Sequence, residues 1–121
     1  MTLLDTNVLI EILKNNQQSI QQVFSLKHPL MISSITAMEL IYGARNKQEV
    51  FRLEEFISKF EVIHLDAQTS ELAYQLITEY AKSHNLDIPD ALIAATAINN
   101  RMQFMTYNIK DFRFIPAMQF I

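Results

Sequence analysis

Four short apolar runs, separated by longer segments of helical periodicity, constrain the fold more than any other feature of this sequence. The runs lie at residues 3–4, 30–32, 62–65 and 104–106. Runs of this kind predict buried strands, and apolar spacings of three and four residues between them predict helices. Strands separated by helices require a parallel sheet with right-handed crossovers. We therefore expect a three-layer α/β/α fold with a central parallel sheet of four to five strands, followed by a short strand-like tail at 114–121.

The composition sets limits on domain number and location. Half of the 121 residues are hydrophobic, with only one glycine and three prolines. A chain of this size buries one core and has little room for linkers, so we expect a single domain spanning 1–121. The absence of cysteine excludes a disulfide framework and a thiolate metal site, and suits a reducing cytoplasm. No signal-peptide pattern or bilayer-length apolar run occurs, so we expect a cytoplasmic protein without a membrane partner.

Asp5 stands where the first predicted strand ends and the first predicted helix begins. In open parallel sheets, ligands bind at that edge, outside the carboxyl ends of the strands. Aspartate is also a good N-cap residue, and capping alone would explain one such carboxylate. Asp66 ends the third predicted strand in the same way, but typical helix-start residues follow it. We interpret Asp66 as a helix cap and not as part of a site.

Further carboxylates return to the same edge of the predicted sheet. Glu39 lies in the second turn of the helix after the second strand, while Asn108 and Asp111 follow the fourth strand. Asp87 and Asp90 precede a helix that is apolar nearly all round. Stabilisation by the helix dipole explains the presence of one carboxylate there more readily than the presence of two. The carboxyl ends of parallel strands meet at one edge. We therefore expect one pocket to gather Asp5, Glu39, Asp87 or Asp90, and Asn108 or Asp111.

Gathered carboxylates point to a hard divalent cation. Four carboxylates in one pocket repel one another, and Mg²⁺ or Mn²⁺ relieves that repulsion because these ions prefer oxygen ligands. Such ions activate water and clamp the oxygens of a phosphodiester during its displacement. The formal net charge of −3 argues against nucleic-acid binding through bulk charge. That argument weakens if bound divalent ions cancel the clustered acids locally.

Five other residues are candidates for supporting roles. Thr6 and Thr106 place hydroxyl groups at the same edge, where they could orient a water or a carboxylate, although a helix cap also explains Thr6. Arg45, Lys47 and Lys110 are candidate contacts for substrate phosphates. A solvated basic face is the default interpretation of such residues.

Four sequence blocks together resemble the PIN-domain family, in particular the VapC-type ribonuclease toxins of toxin–antitoxin pairs. The blocks are LLDTNVLIEIL, ITAMELIYGAR, IPDALIAATA and TYNIKDF, and they span essentially the whole chain in order. The resemblance implies that Asp5, Glu39 and Asp90 hold Mg²⁺ or Mn²⁺. The fourth position falls at Asn108, where many relatives carry Asp, and Asp111 lies one helical turn beyond it. Asp87 has no assured place in the family pattern.

The resemblance also implies an activity and partners. We expect metal-dependent hydrolysis of phosphodiester bonds in RNA, with Asp5, Glu39, Asp90 and Asn108 as the catalytic set. A homodimer is implied, as is a cognate antitoxin whose C-terminal segment wraps the toxin and plugs the acidic pocket with a basic side chain. Assembly of both would give a hetero-oligomer.

Two alternatives remain at this point. The chain could be a catalytically weak or inactive PIN-fold protein that acts by binding an antitoxin or RNA, and Asn108 keeps that alternative open. A small phosphatase of the haloacid dehalogenase type also begins with a strand that ends in Asp. That class needs a second Asp two residues later, where this chain has Asn7.

Overall fold

The structure, a computed structural model, describes residues 1–121 as a parallel four-stranded sheet flanked by six helices, and confirms the predicted three-layer α/β/α fold. No helix combines the length and the apolarity needed to cross a bilayer. The elements in chain order are β1 (Thr2–Leu4), α1 (Thr6–Leu13), α2 (Gln17–Phe24), β2 (Leu30–Ser33), α3 (Ser34–Tyr42), α4 (Lys47–Ile57), β3 (Glu61–Ile63), α5 (Ala67–His84), α6 (Ile88–Asn99), β4 (Gln103–Met105) and a 3₁₀ turn (Ile109–Asp111).

The strand order places a reversal in the middle of the sheet. The order is β3-β2-β1-β4, and in the register Leu3 of β1 pairs with Met31 on one side and Phe104 on the other. The chain moves from β1 to β2 and β3 in one direction, and then returns to add β4 on the opposite side of β1. The crevice outside the carboxyl ends of the strands at such a reversal is a preferred ligand site in open α/β sheets.

Both faces of the sheet are buried, which explains why the strands are apolar throughout. Successive side chains of a strand point to opposite faces. Leu3 and Phe104 belong to the core formed with α5, α6 and the C-terminal tail. Leu4 and Met105 belong to the core formed with α1, α2 and α3 on the other face. Packing in both cores therefore fixes the positions of the paired strands β1 and β4 and of their adjacent carboxyl ends.

Helix α6 carries a run of small residues that lets it pack closely in the first of these cores. Ala91, Ala94, Ala95 and Ala97 are all buried there. The helix begins with Asp87 as N-cap and a proline in its first turn, as the sequence predicts. Close packing of this helix fixes the position of its N-terminus, which lies at the edge of the sheet where the strands end.

The predicted strand at 114–121 is wrong. This tail forms turns, and its single ladder contact is a parallel bridge between Phe104 and Phe120. The backbone N–H of Ile115 and that of Met118 donate within turns, and Pro116 has no N–H to donate. The apolar spacing in the tail instead places Ile115 and Met118 in the core beneath the sheet.

Both ends of α5 are capped, and the helix cap predicted at Asp66 is confirmed. Asp66 is the N-cap of α5, and its Oδ1 accepts the Thr69 backbone N–H at 2.8 Å. Asn85 ends α5 in the left-handed conformation, with a φ of 58°. Asn tolerates this conformation better than other residues that carry a Cβ.

Overpacking of α6 should destabilise the fold. Ala95 is fully buried, so Ala95→Leu should lower the free energy of unfolding by about 1–3 kcal/mol through displaced neighbours. Urea unfolding followed by circular dichroism measures the change. Ala67→Leu, at the exposed start of α5, is the matched control and should change stability by less than about 0.5 kcal/mol. Equal effects of the two substitutions would contradict close packing around α6.

Candidate active site

A pocket of about 260 Å³ opens outside the carboxyl ends of β1 and β4, at the reversal of strand order. Four carboxyl groups line it and no basic side chain does. We call it the acidic pocket, and its lining residues are Asp5, Thr6, Asn7, Ile10, Glu39, Asp90, Asn108, Asp111 and Phe112. The structure therefore brings together side chains that are far apart in the chain, as the parallel topology predicts.

Asp5 lies at the base of the acidic pocket and is 5% exposed. Its Oδ1 accepts the Thr6 backbone N–H at 2.8 Å, and its Oδ2 accepts the Thr106 hydroxyl at 2.8 Å. Burial raises the pKa of this carboxyl, the two hydrogen bonds oppose the rise, and the charges of Glu39 and Asp111 add to it. Asp5 is thus both the N-cap of α1 and a member of the pocket.

Thr106 connects the end of β4 to the start of α1. Its buried hydroxyl donates to Asp5 and accepts from Asn7 Nδ2 at 3.3 Å and from the Asn108 backbone N–H at 3.0 Å. A hydroxyl has one proton and two acceptor sites, so the Thr106 hydroxyl makes all the hydrogen bonds that it can. Thr106 does not line the pocket; it orients the residues that do.

Glu39 is held by a chain of two threonines. The Thr6 hydroxyl donates to Glu39 Oε1 at 2.7 Å, and the hydroxyls of Thr6 and Thr36 lie 2.9 Å apart. Because Thr6 uses its proton on Glu39, buried Thr36 donates to Thr6. Sequence reasoning missed Thr36. Its spacing of three residues from Glu39 was an available signal, since residues so spaced share one face of a helix.

Asp90 enters the pocket from the first turn of α6. It is half-buried, and the Asp87 side chain caps the helix by accepting the Asp90 backbone N–H at 2.9 Å. Burial, followed by repulsion from Asp87, Asp5, Asp111 and Glu39, raises the pKa of Asp90 to about 7. An ionised Asp90 is therefore costly unless a cation compensates it.

Asn108 and Asp111 both line the pocket and contact each other. Asn108 Nδ2 donates a hydrogen bond to Asp111 Oδ2 across the 3₁₀ turn. The sequence left open whether Asn108 or Asp111 completes the site, and in the structure both line the acidic pocket. The amide group thus orients a carboxylate that the chain supplies three residues later.

Besides Thr106, four of the predicted supporting residues lie outside the pocket lining. Asp87 is an exposed helix cap that acts on the pocket through Asp90, by accepting its backbone N–H and by raising the pKa of its carboxyl. Arg45 is exposed and pairs with Glu49 at 3.1 Å. Lys47 and Lys110 are exposed and do not line the pocket either. The structure therefore does not bring the predicted phosphate contacts to the carboxylates.

The donor set of the acidic pocket fits a hydrated divalent cation. No three acidic or histidine side chains stand close enough to form a complete ligand cluster by themselves. Mg²⁺ does not require one, because it keeps several waters and binds through one or two carboxylates. The two ion pairs of the structure, Lys14–Glu11 and Arg45–Glu49, lie elsewhere. No Lys or Arg side chain lines the acidic pocket to neutralise its carboxylates.

Comparison with known families matches the PIN domain to residues 2–116 of the chain. The chain belongs to the PIN-domain family. The tRNA(fMet)-specific endonuclease VapC of Salmonella typhimurium is 36% identical over 123 residues, covering 97% of this chain and 93% of that protein. Ribonuclease VapC2 of Rickettsia felis is 30% identical over 124 residues, covering 96% and 92%. The predicted resemblance to VapC-type PIN domains is therefore confirmed.

Solved PIN-domain structures share the fold closely. DNA-bound VapBC from Salmonella typhimurium superposes with a TM-score of 0.85 at 34% identity, over 99% of this chain and 96% of that one. A toxin–antitoxin complex from Klebsiella pneumoniae gives 0.83 at 32% identity, over 98% and 95%. The four-stranded parallel sheet is thus the PIN-domain sheet, and its strand reversal forms the acidic pocket.

The raised pKa of Asp90 predicts how stability of the metal-free PIN domain depends on pH. An ordinary Asp ionises near 3.8, whereas folded Asp90 ionises near 7. Between these values the folded protein keeps a proton that the unfolded chain loses, so this contribution to stability falls as pH rises from about 4 to about 7. Asp90→Asn removes this pH-dependent loss of stability, because an amide does not ionise. It should stabilise the metal-free protein at about pH 8 by roughly 1–3 kcal/mol, with the gain vanishing near pH 4.

Urea unfolding in EDTA across this pH range tests the prediction, with Asp66→Asn as control. The Thr69 N–H lowers the pKa of Asp66, so its stabilising effect is present at neutral pH and is lost in acid. Asp66→Asn should therefore show no gain at high pH. A parent and an Asp90→Asn variant of equal stability at about pH 8 would contradict a costly Asp90 carboxylate.

Proposed function

We propose that this single PIN domain is a Mg²⁺- or Mn²⁺-dependent endoribonuclease and the toxin of a toxin–antitoxin pair. The observation that carries the proposal is a pocket at the strand reversal that is lined by four carboxyl groups and by no basic side chain. Relatives that match this chain over nearly its full length are named as ribonucleases. The pocket supplies the ligand chemistry that a metal-dependent nuclease needs.

Asp5, Glu39 and Asp90 would hold the ion, in part through its bound waters, with Asp111 and Asn108 beside it. When bound, a divalent ion lowers the pKa of water and neutralises charge on the phosphate. Residues of the chain prepare the site: Thr106 fixes Asp5, Thr6 fixes Glu39, and Asn108 fixes Asp111. Because the carboxylate oxygens are already held in place on three different segments, the site does not have to be reorganised at each turnover.

An antitoxin and a second copy of the chain are the proposed protein partners. The solved relatives include toxin–antitoxin complexes. Helix α3 exposes Met38 and Tyr42, which together with Ile35 and Glu39 line an apolar groove of about 420 Å³. Glu39 belongs to this groove and to the acidic pocket, so a peptide lying along α3 reaches the carboxylates directly. A basic side chain on such a peptide would compensate them.

The sequence left two alternatives, a phosphatase and an inactive binding protein. In the structure Asn7 donates to Thr106 and accepts the Tyr107 backbone N–H, so it has a positioning role where the phosphatase class needs a second acid. Membership of the PIN-domain family removes that class. An inactive binding protein is distinguished from the nuclease by the experiment that follows.

Purified protein should cleave RNA with Mg²⁺ or Mn²⁺, and EDTA should abolish cleavage. Asp5→Asn should lower the rate by more than about 100-fold, because it removes a metal-ligating charge from a buried position. Gel analysis of a labelled RNA measures the rate. Asp66→Asn is the matched control, since Asp66 also follows a strand and caps a helix but does not line the pocket.

The outcomes separate the functions. Cleavage that persists in EDTA, or that Asp5→Asn leaves unchanged, would contradict the metal mechanism. Selective RNA binding without cleavage in either metal would favour the inactive binding protein. Loss of activity in Asp66→Asn as well would attribute the effect to helix capping instead of the pocket.

Metal binding should also appear as stabilisation in the absence of RNA. An ion that binds only the folded protein raises the melting temperature progressively with concentration. Mg²⁺ should therefore raise the melting temperature of the parent and have a smaller effect on Asp90→Asn, which lacks one carboxylate of the pocket. Differential scanning fluorimetry against equal ionic strength of NaCl measures the shift. Identical curves in Mg²⁺ and NaCl would contradict a specific metal site.

A further inference from the structure

A second and larger pocket adjoins the acidic pocket at Asn7. Its volume is about 520 Å³, and it lies between α1, α2 and the segment that follows β4. We call it the amide pocket, and its lining residues are Asn7, Glu11, Asn16, Gln18, Ser19, Gln22 and Tyr107. Asn7 lines both pockets, so the two pockets are neighbours on the surface.

The lining chemistry excludes several ligand classes. No Lys or Arg lines the pocket, so it does not suit a phosphate group. Its single carboxylate, Glu11, contacts Lys14 at 3.6 Å and accepts from Asn16 Nδ2 at 3.1 Å, so it does not suit a metal ion. Six of the seven lining residues are polar, so an apolar ligand is also a poor match. The remaining match is a neutral, polar and planar group.

Carboxamides and an aromatic side chain suit a nucleobase. Protein contacts to single-stranded RNA combine stacking on aromatic rings with hydrogen bonds to the edges of unstacked bases. Tyr107 is 42% exposed at this pocket and offers the aromatic ring. Gln18 and Gln22 are exposed and offer carboxamide groups, each of which both donates and accepts.

The pocket is braced by groups already tied to the acidic pocket. The Tyr107 hydroxyl lies 2.9 Å from Ser19 Oγ and 2.9 Å from Gln22 Oε1, which joins the loop after β4 to α2. The Tyr107 backbone N–H donates to Asn7 Oδ1 at 3.2 Å. Gln22 uses its oxygen in this network and keeps its Nε2 protons for a ligand.

We infer that the amide pocket binds one unstacked base of the RNA beside the bond that is cleaved, and that Gln22 and Gln18 select that base. The inference rests on the proposed ribonuclease function and adds to it the part of the site that reads sequence. The acidic pocket recognises what all nucleotides share, whereas the amide pocket presents groups that distinguish one base edge from another. Tyr107 acts as a positioning residue for Gln22 and as a stacking surface.

The direct test uses the four homopolymeric RNA trinucleotides and metal-free, ¹⁵N-labelled protein in EDTA, where no cleavage occurs. Side-chain amide signals of Gln18 and Gln22 should shift with one trinucleotide more strongly than with the other three. Gln22→Met should weaken binding of that trinucleotide by at least about fivefold, the low end for loss of one base contact, and leave the others unchanged.

Gln21→Met is the matched control. Gln21 is the neighbouring exposed glutamine on α2, but it does not line the amide pocket. This substitution should leave both the selectivity and the affinity unchanged. Equal effects of the two variants, or four titrations that leave the Gln18 and Gln22 signals unmoved, would overturn the inference. The second result is expected if the pocket serves a protein partner instead.

Tyr107→Phe separates positioning from stacking. It keeps the ring but removes the hydroxyl that holds Gln22, so the preference among trinucleotides should narrow while mean affinity changes by less than about twofold. An equal loss of affinity for all four would show that Tyr107 only braces α2, and would overturn its role in selection.

Cleavage assays keep the two proposals distinct. RNAs that differ only in the base beside the cleaved bond should be cut by the parent with different kcat/KM values, and Gln22→Met should reduce that difference. Selective amide shifts without any RNA cleavage would refute the nuclease and retain the base pocket. RNA cleavage without any shift of the Gln18 and Gln22 amide signals would support the nuclease proposal and refute the base pocket.

Discussion

The hydrogen bond from Thr106 to Asp5 is the contact on which the rest of the site depends. It joins residues 101 positions apart, and the backbone reinforces it because the Asp5 N–H donates to the Met105 carbonyl at 2.9 Å. Through Thr106 the end of β4, the cap of α1 and the amide of Asn7 form one rigid unit. The acidic pocket and the amide pocket both lie on that unit, so their relative position is fixed by the sheet.

The PIN-domain site works against the stability of its own fold. Four carboxyl groups without a side-chain cation repel one another, and burial raises the pKa of Asp5 and Asp90 above the ordinary value. The two cores on either side of the sheet offset that cost. A cation or a basic peptide at the pocket removes the same repulsion. Metal binding and binding of a basic partner peptide would therefore both be favoured by relief of the same repulsion between the carboxylates.

The sequence predicted those parts of the molecule that follow from period and topology. Alternating apolar runs and helical patterns gave the parallel sheet, and strand ends located Asp5 and Asn108. Thr36 and the amide pocket were not predicted, because they depend on which side chains meet across helices. The predicted roles of Arg45, Lys47 and Lys110 lack support for a similar reason: exposed, flexible side chains carry no pattern that fixes where they point. Ligation by Asp5, Glu39 and Asp90 stays a prediction.

The position of β4 in the sheet has a consequence for biosynthesis. This strand, Gln103–Met105, is made after the other three strands and pairs with β1, which is made before them. Chains emerge N-terminus first, and pairing of such distant segments is a late and slow event in folding. A growing chain therefore lacks one wall of the acidic pocket until β4 has been made, although Asp5, Glu39 and Asp90 are already present.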